Sequence, residues 1–158
     1  MYSGLIKVDP INPDKHIIEA AGRIIREGGL VAFPTETVYG LAADAFNVNA
    51  IARIFEVKGR PENKPLPVQI ATLDQIALLA SNVTPEAARL MDRYFPGPLT
   101  VVVAASSSVP DAVTAGTGTI GVRMPDHPVA LALIRAAGTP IVAPSANTSG
   151  CPAPTTAE

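Results

Sequence analysis

Short apolar runs rich in β-branched residues alternate with stretches of helical periodicity along most of this chain, and that alternation limits the fold more than any other feature. The runs lie at Leu30–Phe33, Leu66–Ile70, Leu99–Ala104, Thr119–Met124 and Pro140–Ala143, each too short for a stable helix. Leu30–Phe33 is continuously apolar and reads as a buried strand. Gly4–Val8 and Thr37–Ala43 read as further extended segments. Between them, Asn12 caps a helix with Pro13 in its first turn, Ile17, Ile18, Ala21, Ile24 and Ile25 on one face, and Gly28-Gly29 at its end. Asn49 caps a second helix carrying Ile51, Ile54, Phe55 and Val57, ending at Gly59. A short helix follows over Leu73–Leu79. Thr84-Pro85-Glu86 opens one through Tyr94, and Asp126 caps another over Pro128–Ala137. Strands alternating with helices give an α/β (α+β) single domain with a largely covered sheet. Residues 105–118 are rich in Ser, Gly and Thr and read as a mobile loop. Gly150–Glu158 holds no apolar element, so that segment is either disordered or continues in a longer native chain.

Composition narrows the function classes. With 47% apolar and 16% charged residues over 158 positions, the chain is globular and about one domain long. No apolar run approaches the ~20 residues of a membrane span, and no basic-then-apolar leader opens the sequence. Cys151 is the single cysteine, which excludes an internal disulfide and fits a cytoplasmic location. The net charge of −2 disfavours general nucleic-acid binding, which lives on phosphate contacts. Proline, at 16 residues, is about twice as frequent as usual and clusters beside the polar motifs, as in rigid site loops.

Four polar segments stand where apolar elements give way to turns. Pro34-Thr35-Glu36-Thr37-Val38-Tyr39-Gly40 could line a polar pocket, or its hydroxyls could satisfy local backbone groups. Lys58-Gly59-Arg60-Pro61-Glu62-Asn63-Lys64-Pro65 places three cations at a helix end. The helix dipole accounts for Lys58, but Arg60 and Lys64 lie beyond Gly59, so a phosphate site is the better reading. Arg123, on an otherwise apolar strand, faces a cleft, a carboxylate or solvent. Ser145-Ala146-Asn147-Thr148-Ser149 follows a strand, at the edge where α/β sheets take ligands, although Ser- and Asn-rich turns are common. Gly116–Gly121 spells G-x-G-x-x-G, but a strand and not a helix follows it, so it is no dinucleotide fingerprint. His16 and His127 read as surface residues, and no metal-ligating cluster or nucleophile–base pair is present. Catalysis would rest on positioning and charge stabilisation.

Read together, PTETVYGLAADA, KGRPENKPLPVQI, FPGPLTVVV, TIGVRMPDHP and PIVAPSANTSG resemble, in the same order, the YrdC/TsaC family of threonylcarbamoyl-AMP synthases. The resemblance spans roughly residues 30–156, and the K-x-R plus S-x-N combination is specific to that superfamily. It implies a twisted mixed sheet with flanking helices around a concave, positively lined cavity. It also implies that residues 1–158 form one YrdC-like domain lacking the family's C-terminal strands. The implied reaction joins L-threonine, bicarbonate (or CO2) and ATP, with Mg2+, into threonylcarbamoyl-adenylate and pyrophosphate. A downstream tRNA threonylcarbamoyl transferase would take the product, with a weak tRNA contact through the same concavity and no membrane partner.

By position, the resemblance puts Lys58, Arg60 and Lys64 on the ATP phosphates, with Lys58 and Arg60 catalytic and Thr119, Ser145 and Asn147 helping to hold the nucleotide. It puts Thr35 or Thr37, Gln69, Arg123 and the backbone of Ala143 around threonine, with Arg123 on its carboxylate, and no protein metal ligands. Two positions depart from the family pattern: Gln69, where many relatives carry His, and Ala153, where many carry Ser. Two other readings remain: a carbamoyl-adenylate module of the hydrogenase-maturation type, and a non-catalytic RNA-binding module. The acidic pI and the absence of tryptophan weigh against the second.

Overall fold

The alternation expected above condenses into one curled sheet, seen in a computed structural model that describes residues 4–157. In chain order the described elements are α1 (Lys15–Arg26), β1 (Val31–Phe33), β2 (Gly40–Asp44), α2 (Val48–Lys58), β3 (Val68–Gln69), a 3-10 turn (Leu73–Gln75), α3 (Ile76–Leu79) and β4 (Ala80–Asn82). They continue with α4 (Pro85–Tyr94), β5 (Val101–Ala105), α5 (Asp111–Thr114), β6 (Thr119–Arg123), α6 (Pro128–Ala137) and β7 (Ile141–Val142). The strand order is β1-β2-β7-β3-β6-β5-β4, and only β3 and β6 run parallel, so the sheet is mixed.

Pleating assigns the strand side chains to two cores. Val68, Val101, Val103, Ile120, Val122 and Val142 face α2, α4 and α5, meeting Ile51, Ile54, Phe55, Met91 and Val113. On the opposite face, Phe33, Ala42 and Ile141 meet Ile25 of α1 and Ala130, Leu133, Ile134 and Ala137 of α6. That second cover stops short of β5 and β6, where Val102, Ala104 and Thr119 are exposed. The uncovered strip leaves that part of the sheet face open.

Several local expectations are corrected. Gly4–Val8 is irregular and pairs with no strand, leaving Leu5 70% exposed. Asn12 lies in a turn closed by the Asp9 carboxylate, and Asp14 caps α1 by accepting from the His16 and Ile17 amides. Asn47, not Asn49, caps α2 by accepting from the Ala50 amide at 3.1 Å. His127, not Asp126, caps α6: its Nδ1 accepts from the Val129 amide at 3.2 Å. Val57 points outward, because the face through Ile51, Ile54 and Phe55 reaches Lys58 at the next turn. Leu30–Phe33 is an edge strand in which only Phe33 is buried. The expected loop over 105–118 contains α5; Val109 and Val113 are buried, and the Leu66 amide donates to the Val113 carbonyl at 2.8 Å. β4 had no sequence signal beyond its polar Ser81 and Asn82.

The tightest helix contact joins α1 to α6. A Cβ on Gly22 would lie 2.6 Å from the backbone carbon of Ala136, inside any tolerated contact. Gly22→Val is therefore expected to cost about 1–3 kcal/mol through overpacking, despite valine's lower chain entropy. A denaturant midpoint that stays at the wild-type value would show that the α1–α6 contact is not a constraint.

Candidate active site

The two motifs farthest apart in sequence meet at one ammonium group. The helical period turns Lys58 inward at the end of α2, where it is 2% exposed. Its Nζ donates to the Asn147 carbonyl at 2.5 Å and also to the Ser145 carbonyl. The Ser149 amide returns a bond to the Lys58 carbonyl at 2.7 Å. Gly59 ends α2 in the left-handed conformation, φ +56°, and turns the chain so that Arg60 leaves the helix axis. Burial, with the Arg60 charge beside it, lowers the Lys58 pKa from its ordinary value. Two carbonyl acceptors oppose that effect and favour the ammonium.

Arg60 is half-buried. It donates to the Pro65 carbonyl at 2.8 Å, while its Nε is buried without a partner. Lys64 is exposed, its amide closing a turn onto the Pro61 carbonyl at 3.2 Å. Asn147 donates from Nδ2 to the Thr148 and Cys151 carbonyls, which folds the following segment back, and its Oδ1 is buried without a partner. The Tyr39 amide then donates to the Pro154 carbonyl at 2.9 Å, which ties the chain at Pro154 to the loop after β1.

That loop is built by Thr35. Its hydroxyl donates to the Val38 carbonyl at 2.6 Å and accepts from the Thr37 and Val38 amides, which presents the Thr37 hydroxyl to β6. The parallel register of β3 and β6 sets Gln69 beside Arg123. Gln69 is 4% exposed, and its Oε1 has no partner. Arg123 is held on several sides. Its Nε donates to the Gly97 carbonyl at 3.2 Å, both terminal nitrogens reach the Thr37 hydroxyl at 3.2 Å, and one lies 2.6 Å from the Glu36 carboxylate. Burial pushes the Glu36 pKa up, but the Arg123 pair and the backbone amides of Asp126 and Glu36 outweigh it and leave the pKa below its ordinary value.

These groups surround a cavity of about 190 Å³. Thr35, Thr37, Gln69, Arg123 and Ala143 all line it, joined by Tyr39, Thr100 and Ser145. Arg123 therefore faces a cleft and a carboxylate together, not solvent. Lys58, Arg60, Lys64, Thr119 and Asn147 do not line it. Thr119 is exposed on the open sheet face, its hydroxyl 3.1 Å from that of Thr117. Glu36 and Gly97 carry no individual role in the sequence reading, although Glu36 sits in the candidate pocket segment between two threonines and Gly97 in the FPGPLTVVV motif. A second, more open groove of about 460 Å³ between α2 and α5 carries none of the expected residues.

The model of the Sua5, YciO and YrdC proteins, described as "Telomere recombination", matches residues 23–158. The chain belongs to the Sua5/YciO/YrdC family. It is 54% identical to a threonylcarbamoyl-AMP synthase of Pyrococcus abyssi over 140 residues, 89% of this chain and 41% of that protein. It is 49% identical to the Bacillus subtilis threonylcarbamoyl-AMP synthase over 95% of this chain and 44% of that one. The crystal structure of P. abyssi Sua5 complexed with L-threonine superposes with a TM-score of 0.91 at 51% identity, over 92% of this chain and 43% of that one. The chain thus spans less than half the length of these Sua5/YciO/YrdC relatives.

Lys58→Met should strand two carbonyls facing a buried site. The expected loss is about 1.5–3 kcal/mol of stability. Amide hydrogen exchange should rise over residues 145–149 while α1 and α6 keep their protection. Unchanged exchange there would remove the lysine's role as a clamp.

Proposed function

We propose that this chain is the synthase domain of a threonylcarbamoyl-AMP synthase, forming L-threonylcarbamoyladenylate and pyrophosphate from L-threonine, bicarbonate or CO2, and ATP. One observation carries the reading: the five residues expected around threonine, which come from four separate segments, line a single cavity. Its volume, about 190 Å³, is below the ~300–1,000 Å³ of drug-sized ligand sites and suits an amino acid better than a nucleotide. The names of the relatives and the threonine held by P. abyssi Sua5 support the same substrate.

In this reading Arg123 and the Thr37 hydroxyl receive the substrate carboxylate, Gln69 and the Ala143 backbone fix its other end, and Thr35 holds the loop that presents Thr37. The threonine ammonium gives up a proton to solvent, its amine nitrogen bonds to the carbon of CO2, and loss of one further N–H proton to water leaves an anionic carbamate. A carbamate oxygen then bonds to the α-phosphorus of ATP as the bond to the β-phosphate oxygen breaks and pyrophosphate leaves. An anionic carbamate needs no protein base. Charge grows on phosphate oxygens, where Arg60, Lys64 and the remaining N–H of Lys58 would act, with Ser145, Asn147 and Thr119 on the nucleotide. Mg2+ would arrive on the triphosphate. Among the described residues no cluster of His, Cys, Asp or Glu is arranged to hold a metal, and no step here is routed through one. A cytoplasmic location and transfer of the product to tRNA by a second enzyme complete the proposal.

The test is pyrophosphate release from ATP by this chain with and without L-threonine and bicarbonate. Release is expected only when all three are present, and Arg60→Ala should lower it about 100-fold or more. Release that ignores threonine, or an Arg60→Ala rate equal to wild type, would overturn the assignment.

A further inference from the structure

Arg123 is the sole charged side chain among the described residues lining the cavity, and it is already largely engaged. A guanidinium has five N–H donors. One goes to Gly97, two to Thr37, and one to the Glu36 carboxylate at 2.6 Å. A single N–H is left, too few for the two-point grip that arginine ordinarily gives a carboxylate. Glu36 itself does not line the cavity; it pairs with one terminal nitrogen of the guanidinium and is fixed by the Asp126 amide. The side chains of the pair are only 14% and 20% exposed, so water screens them little.

We infer that Glu36 determines the charge selectivity of this cavity, cancelling Arg123 so that a zwitterionic amino acid is taken in preference to ligands carrying only an anionic group. The inference rests on the amino-acid reading of the cavity. A carboxylate approaching Arg123 is repelled by Glu36, paired to the same guanidinium at 2.6 Å. A ligand that also carries an ammonium is attracted by Glu36, which offsets the loss. A bare anion has no such compensation and must leave its hydration shell for one guanidinium N–H and the Thr37 hydroxyl.

The experiment compares L-threonine with 3-hydroxybutyrate, the same skeleton without its amine, by titration calorimetry on the full chain. Glu36→Gln keeps the shape and removes the charge. It should tighten 3-hydroxybutyrate about tenfold and narrow its gap to threonine by a similar factor. Adding Arg123→Met should abolish that gain, and Glu36→Asp, which keeps the charge, should retain the wild-type preference. Should the glutamine variant not fold, Glu36→Ala makes the same charge change. Equal preference in wild type and Glu36→Gln, or a gain that survives loss of Arg123, would overturn the inference. If wild type binds no threonine while Glu36→Gln still gains 3-hydroxybutyrate, the charge role stands and the threonine reading falls.

Discussion

An ammonium group removed from water must be met by acceptors or it will lose its proton, and Lys58 is met by two main-chain carbonyls from a turn 87 and 89 residues away. Those bonds join the end of α2 to the turn after β7, two places the sheet alone does not bring into register. The Ser149 amide closes the same joint from the other side by donating to the Lys58 carbonyl. Once the turn is fixed, Asn147 can gather the Thr148 and Cys151 carbonyls, and the chain beyond is led across to the Tyr39 amide. The loop after β1 is thus held from above by that segment and from within by Thr35. Its Thr37 hydroxyl then has a fixed place to meet Arg123.

The cavity floor follows from sheet register. Because β3 and β6 are parallel neighbours, Gln69 and Arg123 project side by side from the same face. The helices α1 and α6 cover that face only as far as Ile141 and Ala143, so the part over β5 and β6 stays open. A mixed sheet is what makes this possible. A wholly parallel sheet would need helices over both faces along its whole width.

Much of this was legible in the sequence. The apolar runs at 99–104 and 119–124 became β5 and β6 nearly as read, and α6 spans Pro128–Ala137 as its pattern required. The five residues that the family resemblance puts around threonine share one cavity. What escaped depended on distant partners. The motif puts Lys58 with Arg60 and Lys64 among the phosphate cations, and the spacing from Ile51, Ile54 and Phe55 points it inward, but only the carbonyls of Ser145 and Asn147, distant in sequence, make that position tolerable for a charge. The segment over 105–118 was read as mobile from its small polar residues, yet Val109 and Val113 are enough to pin it under α2. Helix caps slipped by one or two residues because Asn, Asp and His can all serve, and which one does depends on the backbone turn that precedes it.

Committing Lys58 to a clamp divides the electrostatic work. In the proposed reaction the phosphates must be met chiefly by Arg60 and Lys64, half-buried and exposed respectively, neither of which lines the cavity, itself too small for the nucleotide. An exposed cation and a phosphate 4 Å apart gain only ~1 kcal/mol in water, but several times that where water is displaced. The open sheet face at Val102, Ala104 and Thr119 offers a surface where a bound nucleotide would itself displace that water. The amino acid would therefore be selected by a preformed, charge-balanced cavity, and the triphosphate by cations that become effective only as the nucleotide settles. Order of binding would then follow from dielectric environment: a rigid pocket can fill alone, whereas the phosphate cations gain strength from their own ligand.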